Sequence, residues 1–307
     1  MQICLMIEGQ EGVGWDEWVG LARATEEVGL DGLFRSDHYT SFHTLPGAAL
    51  DAWATLAALG PLTSKIRLGT LVSPATFRHP SELARVVSTV DHASGGRVEV
   101  GVGAGWFEQE HRQNGFAFPA VGERWELLEE YVEVLLRSWT GEPFDFAGRH
   151  FTLVGQQALP TPVQRPHPPL IVGGAGRRRS VALAVRSAQE YNAAFLDPGA
   201  CGELRGRLDA ACVAAGRDPA TLPLSLMALV ALGTDRRSAE QRLHRDLERF
   251  RGPRERCHAV TVDEAEDLLG RYEAAGVRRV YLQHPDRADR AALDLLGTLA
   301  SRVRAGG

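Results

Sequence analysis

Short apolar runs alternate with amphipathic stretches along almost the whole chain. The runs are ICLMI (3–7), DGLFRS (31–36), IRLGTLVS (66–73), RVEVGVG (97–103), PLIVGG (169–174), YNAAFL (191–196), LPLSLMALVAL (222–232) and VRRVYLQ (277–283). Each is short and rich in Val, Ile and Leu, which is the pattern of strands buried on both faces. Between them, WDEWVGLARATEEVGL and DAWATLAALG carry helical patterns that end at Gly29 and Gly60, where the chain is expected to leave the helix. Eight strand candidates, mostly separated by helices, fit either a closed barrel or a doubly wound sheet. The count of eight predicts the barrel, an α/β fold of the (β/α)8 TIM type.

The longest interval between runs, 103 to 169, breaks the rhythm. It contains GWFEQEHRQNGFAFPAVGER, a helix expected over Trp125–Trp139, and FDFAGRHFTLVG, which alternates like a small hairpin. The proline-rich QALPTPVQRPHPP then leads into the fifth run. The pattern predicts one domain over 1–307 with an insertion at about 105–168 after strand four. A length of 307 residues suits a single α/β barrel.

A net charge of -5 argues against a nucleic-acid partner and leaves the basic run Arg177-Arg178-Arg179 in need of a local explanation. Cys4, Cys201, Cys212 and Cys257 are scattered and form no CxxC pair, which reads as reduced thiols in a cytoplasmic protein. The opening MQICLMIEG is too short, and carries Glu8 too early, for a signal peptide. No apolar run is long enough to predict a membrane span.

In such barrels catalytic groups gather at the C-terminal ends of the strands, where the βα loops converge. Those ends supply Glu8, Asp37-His38, Ser73-Pro74, Gly103-Ala104-Gly105-Trp106, Gly174-Ala175-Gly176 and Gln283-His284. His38 is the candidate for proton transfer because imidazole titrates near neutral pH. Asp37 either orients it, binds a ligand's donors, or simply caps a helix beside a surface histidine.

GVGAGW has Trp106 where a dinucleotide fingerprint needs its third glycine. Two readings stay open: a tight turn needing positive φ, or bare backbone against a planar ring. VGGAGRRR, a glycine loop before a helix, predicts an anion site at the helix N-terminus. At least part of its arginine run reads as a solvated face. The ExxH spacings Glu108–His111 and Glu255–His258 lack the companion glutamates of a two-metal bundle, and no metal is predicted.

LDGLFRSDHY, KIRLGTLVSPATFRHP, VDHASGGRVEVGVGAGWFEQEH, ALPTPVQRPHPPLIVGGAGRRR and AQEYNAAF together resemble the luciferase-like monooxygenase superfamily. The likeness is to its actinobacterial branch, which uses the deazaflavin coenzyme F420. The resemblance implies an eightfold barrel with an insertion after strand four. It implies that Asp37 and His38 sit against the cofactor ring, with His38 as the acid/base or polarising group. It implies a non-proline cis peptide at Leu71-Val72 behind the ring. Gly103, Ala104 and Gly105 would line the ring, Gly173, Gly174, Ala175 and Gly176 would receive the phosphate, and Asn192 would lie nearby.

Gln189 replaces the acid usual in the sixth segment. Trp106 stands where sugar-phosphate dehydrogenases of the superfamily carry a glutamate, which argues against that substrate type. The expected function is an F420-dependent oxidoreductase moving a hydride to or from a small organic substrate. Glu8, Trp106, Tyr191 and Gln283 are the expected substrate wall. The alternative is an FMN-dependent monooxygenase, with reduced flavin supplied by a separate cofactor-reducing enzyme. A cofactor-binding barrel without turnover is the third reading. Homodimers are common among relatives, so a homo-oligomer is expected.

Overall fold

In the computed structural model, which describes residues 1–42, 48–250 and 252–306, eight parallel strands close on themselves. They are β1 (Gln2–Ile7), β2 (Gly32–Arg35), β3 (Arg67–Thr70), β4 (Val98–Gly103), β5 (Leu170–Gly173), β6 (Glu190–Ala194), β7 (Leu224–Ala228) and β8 (Val277–Gln283). Each strand pairs with its sequence neighbour, and β1 pairs with β8 in the register Cys4 to Tyr281, which closes the ring. The fold is the (β/α)8 barrel.

Strand parity divides the chain into two apolar layers. Cys4, Met6, Phe34, Leu71, Ile171 and Tyr281 fill the lumen. Ile3, Leu5, Val98, Val100 and Val102 face outward into the larger core beneath the helices. At the N-terminal end of the barrel Glu99 takes Arg67 at 2.7 Å and Arg279 at 2.6 Å, while Glu190 takes Arg279 at 3.1 Å and the Tyr281 hydroxyl at 2.6 Å. These buried charges are mutually paired, the condition under which ions are tolerated in a core.

Two runs that are continuous in sequence divide in space. The third ends its ladder at Thr70, passes a cis peptide at Leu71-Val72, and resumes as Ser73–Pro74 beside the end of β4. The seventh leaves the barrel after Ala228, and Val230–Gly233 pairs with His258–Thr261 in a separate two-stranded sheet. An apolar run marks burial but not the point where the pairing partner changes.

Gly29 follows the Trp15–Glu27 helix at φ +78, as a left-handed stop does. Gly60 does not: its φ is -47 and the chain continues into a 3-10 turn over Gly60–Leu62. A Cβ there would lie 3.1 Å from the Ser94 amide nitrogen, so close packing is what requires this glycine.

Between β4 and β5 lie a short helix, Glu108–Asn114, the helix Val121–Trp139 and the hairpin Phe144–Ala147 with Thr152–Gln156. The long helix packs beside helix Pro80–Ser94, so within 105–168 it serves as the crossover while the flanking pieces are additions. Gln164 anchors the proline-rich connector by donating from its backbone and side-chain amides to buried Asp91. All four cysteines are unpaired. Among the described residues no helix is long and apolar enough to cross a membrane.

Candidate active site

The C-terminal mouth of the barrel holds a cavity of about 680 Å³. Its floor is built by Val72. A Cβ on Gly103 would come within 2.8 Å of Val72 Cγ2, and one on Gly173 within 3.1 Å of Val72 Cγ1. The glycines of β4 and β5 therefore admit the valine side chain, leaving bare backbone on either side of it. Gly103 lacks a positive φ, whereas Gly105 has φ +77. The turn reading of GVGAGW holds at Gly105, while at Gly103 the bare backbone makes room for Val72.

Asp37 and His38 leave β2 in opposite directions. Asp37 is fully buried beneath the cavity, not lining it. Its carboxylate accepts from Arg78 Nη1 at 2.6 Å and Nη2 at 3.1 Å, and from Ser73 Oγ at 2.6 Å. Arg78 also reaches Asp51 at 2.6 Å and the Tyr39 hydroxyl at 2.5 Å. A bidentate, buried pair of this kind fixes the loop, and removing one partner costs about 3–5 kcal/mol.

His38 lines the cavity. Its Nδ1 lies 2.7 Å from Glu110 Oε2, and the other oxygen of Glu110 accepts from the Tyr39 amide at 2.5 Å and the Thr40 amide at 3.0 Å. A carboxylate only accepts, so Nδ1 carries the proton and Nε2 is the nitrogen left for chemistry. Burial, the largest influence, lowers the imidazole pKa; the hydrogen bond and charge of Glu110, with Glu8 and Asp37 nearby, outweigh it and raise it above the ordinary value. Phe42 and Trp106 pack edge-on to the ring, with centroids 4.9 and 5.8 Å away, and Trp106 stacks on Phe107. Trp106 is 64% exposed at the cavity rim.

At the other end, Gly173, Gly174 and Ala175 line the cavity ahead of helix Arg178–Ser187, whose N-terminus has no side-chain cap. The uncapped first turn and the helix dipole favour an anion there, while the Gly174 amide is already given to the Asn192 carbonyl at 3.1 Å. Gly176, at φ +69, lies just outside the lining; its amide donates to the Tyr191 hydroxyl at 2.7 Å. Tyr191 is 0% exposed and does not face the cavity: its hydroxyl sits under the glycine loop, 2.9 Å from Ser180 Oγ. Asn192, the next residue, does line it, held by a bond from its Nδ2 to Ser225 Oγ at 2.9 Å. Arg177, Arg178 and Arg179 are exposed, and Arg179 binds the Gly122 carbonyl at 2.6 Å. Two other arginines, Arg124 and Arg207, line the cavity.

Glu8 and Gln283 form the wall beyond His38. Gln283 Nε2 donates to Glu8 Oε1 at 2.7 Å and Gln10 Nε2 to Glu8 Oε2 at 3.0 Å. Gln10 is held in turn by Ser36 Oγ at 2.6 Å. Leu71, Val72, Ala104, Gly105 and Trp106 complete the predicted set along the lining.

Sequence reasoning missed Glu110, Arg78, Arg124 and Arg207. Glu110 stands inside the very segment whose ExxH spacing drew attention to Glu108 and His111. Glu108 is a surface residue 3.6 Å from Arg112, and His111 is buried against Thr76 Oγ1 at 2.7 Å.

A family model described as luciferase-like monooxygenase matches residues 2–302. The chain is similar to an F420-dependent hydroxymycolic acid dehydrogenase of Mycobacterium tuberculosis, 30% identical over 236 residues, 76% of this chain and 63% of that protein. It is similar to an F420-dependent glucose-6-phosphate dehydrogenase of Amycolatopsis mediterranei, 33% identical over 165 residues, 53% of this chain and 49% of that one. The chain thus spans less than two thirds of the length of either relative. Among solved structures, an F420-dependent secondary alcohol dehydrogenase in complex with an F420-acetone adduct superposes with a TM-score of 0.85 at 20% identity, covering 99% of each chain. A monooxygenase from Streptomyces bottropensis does so with 0.85 at 22% identity, covering 100% of this chain and 99% of the other. At these identities the two structures speak for the fold.

Proposed function

The chain belongs to the luciferase-like monooxygenase family, and on that premise we propose that it is an oxidoreductase working with coenzyme F420 on a small organic substrate. The observation that carries this reading is the His38–Glu110 pair at the edge of a cavity floored by glycine backbone, with an uncapped helix N-terminus at its far end. Two relatives whose names specify F420 support the choice of cofactor.

The residues present fit such a group. Glycines where a Cβ would collide with Val72 leave a flat floor, and the cavity volume lies within the range of about 300–1,000 Å³ typical of small-molecule sites. Leu71, Val72, Gly103, Ala104 and Gly105 would lie against the ring. Gly173 to Gly176 and the first turn of the following helix would take the phosphate, with Arg207 beside them and Asn192 on the intervening wall. When bound, the deazaflavin supplies the hydride donor or acceptor.

His38 holds or moves the accompanying proton at Nε2, and Glu110 fixes the tautomer that leaves this nitrogen available. Asp37 acts through Arg78 on the loop that carries His38, as a positioning residue. Glu8, Trp106 and Gln283 form the substrate wall, and Tyr191 props the phosphate loop from behind. Phe42 and Trp106 exclude water from the histidine.

Titration of the purified protein with F420 and with FMN, each followed by fluorescence, tests the reading. F420 is expected to bind and FMN to bind more weakly; tighter FMN binding would favour the flavin monooxygenase alternative, and binding of neither would overturn both. His38→Ala is expected to bind F420 normally and lose about 10²–10⁴-fold in turnover. Full activity in that variant would remove His38 from the chemistry.

A further inference from the structure

The two ends of the main cavity differ in the charged side chains they carry. Among the described residues Arg124 and Arg207 are the arginines that line it. Arg207 Nη2 lies 3.1 Å from the point where a Cβ on Gly176 would sit, which puts it at the glycine-loop end, with Glu203 four residues earlier on the same helix. The end beside His38 has the opposite character. Glu8 projects there, close enough to influence His38, and its two oxygens are met by the neutral amides of Gln283 and Gln10. Among the described residues no arginine or lysine pairs with it.

A neighbouring cavity of about 250 Å³ shares Glu8, Phe42 and Gln283 with the first and extends the same polarity. Its charged wall comprises Glu8, Glu11, Glu17 and Asp286 against Arg249 and Arg287. Both arginines are engaged, Arg287 with Glu17 at 2.8 Å and Arg249 with Asp286 at 2.6 Å. Phe42 and Trp106 pack against His38, and Leu71 and Met227 add apolar lining to the same cavity, with Ser36 a further neutral polar residue.

The amide of Gln283 reinforces this bias. Glu8 can only accept, so Gln283 turns its Nε2 toward Glu8 and cannot offer that donor to an anion. Its Oε1 is left buried without a partner, and the side chain is 7% exposed on the wall common to both cavities. An anionic substrate would meet a carboxylate that no described arginine or lysine neutralises, in a poorly solvated site where like-charge contact is costly. A hydroxyl or ammonium group would instead find an acceptor already held in place.

Building on the functional reading above, we propose that Glu8 makes this site selective for a substrate that presents a hydrogen-bond donor on an apolar body, and against phosphate and carboxylate substrates. The preference would set this chain apart from a relative named for glucose-6-phosphate.

The test uses three probes that share one ring and differ in charge: benzyl alcohol, benzylamine and benzoate. Their dissociation constants are measured by calorimetry on the full chain loaded with F420. Benzyl alcohol and benzylamine are expected to bind at least tenfold more tightly than benzoate. In Glu8→Gln, an isosteric change, the gap between alcohol and benzoate should shrink to within threefold and benzylamine should weaken at least tenfold.

Benzoate binding as tightly as benzyl alcohol in the wild type overturns the proposal, and needs no variant. So does failure of both donor probes to bind, or survival of the gap in a folded Glu8→Gln. F420 binding, read separately by fluorescence, keeps the two conclusions apart. A protein that binds neither F420 nor FMN sinks the functional reading, whereas one that binds F420 and accepts benzoate sinks only this one.

Discussion

Replacing Glu110 with glutamine exchanges one oxygen for an amide nitrogen and leaves the shape of the site alone, yet it should invert the histidine. The orientation of the new amide is dictated by its surroundings. Tyr39 and Thr40 both donate backbone N–H groups to Oε1, at 2.5 and 3.0 Å. The carbonyl must therefore face them, since an NH2 group there would set donor against two donors. The NH2 group is left facing His38 Nδ1, which lies 2.7 Å from the present Oε2, and it donates to that nitrogen. The imidazole proton then moves to Nε2, and the nitrogen at the cavity can no longer accept one in the neutral ring.

The same change reverses the response to pH. In the wild type His38 has a raised pKa, so its contribution to stability is complete below the unfolded value of about 6.5 and is lost as pH rises through the folded one. Without the Glu110 hydrogen bond and charge, burial, the largest influence, is opposed only by the charges of Glu8 and Asp37, and the folded pKa is expected to drop below the unfolded one. The contribution of the histidine is then lost as pH falls.

A positioned acid or base is worth about 10²–10⁴ in rate, which is about 3–5 kcal/mol of barrier. Glu110→Gln should lose that much in kcat while keeping its F420 affinity. The ¹⁵N shifts of the His38 ring in labelled protein report the tautomer without any cofactor or substrate. A proton still on Nδ1 at neutral pH, or a kcat within threefold of wild type, would refute the reasoning.

Gly103→Ala places a Cβ 2.8 Å from Val72 Cγ2 at the cavity floor and should weaken F420 binding at least tenfold, by fluorescence titration, in a folded protein. Gly101→Ala sets its Cβ 2.1 Å from the Thr70 carbonyl oxygen inside the ladder, so the loss should appear in denaturant unfolding, at or beyond the upper end of the usual overpacking cost of about 1–3 kcal/mol. Tyr191→Phe deprives the Gly176 amide of its acceptor, a cost of about 1–3 kcal/mol. The glycine loop should loosen and F420 affinity fall, while the circular dichroism spectrum stays unchanged. His284 is 6% exposed, and burial pushes its pKa down to about 4, so the protein loses stability as pH falls from about 6.5 toward that value. Asp246, pushed up to about 6 by burial, works in the opposite sense over nearly the same window. His284→Asn should therefore gain about 2–3 kcal/mol over wild type at pH 4.5 relative to pH 7.5 in urea unfolding.

The barrel was legible because its strands are buried on both faces and its helices on one, so local pattern carries burial directly. What it could not carry was pairing. The runs 66–73 and 222–232 give no sign that their last residues leave for other partners. Glu110 was hidden for the same reason: its contact with His38 spans 72 positions, and nothing within the FEQEH segment marks which acid faces the barrel.

Tyr191 is a different kind of miss, because the sequence contained the means to avoid it. Side chains of successive strand residues point to opposite sides, so with the Asn192 side chain aimed inward that of Tyr191 points away from the barrel axis. Lumen parity on β1 runs through Cys4 and Met6 and continues to Glu8; on β8 it runs through Tyr281 to Gln283. On β5 Ile171 leads to Gly173 in the same way, and β4 brings Gly103 to the rim. Choosing Asn192 as an inward residue already committed Tyr191 to the helical side, where its hydroxyl braces the loop ahead of helix Arg178–Ser187. A rim read by proximity in sequence therefore overcounts, and one read by parity, strand by strand, separates the groups that touch a ligand from those that hold the groups that do.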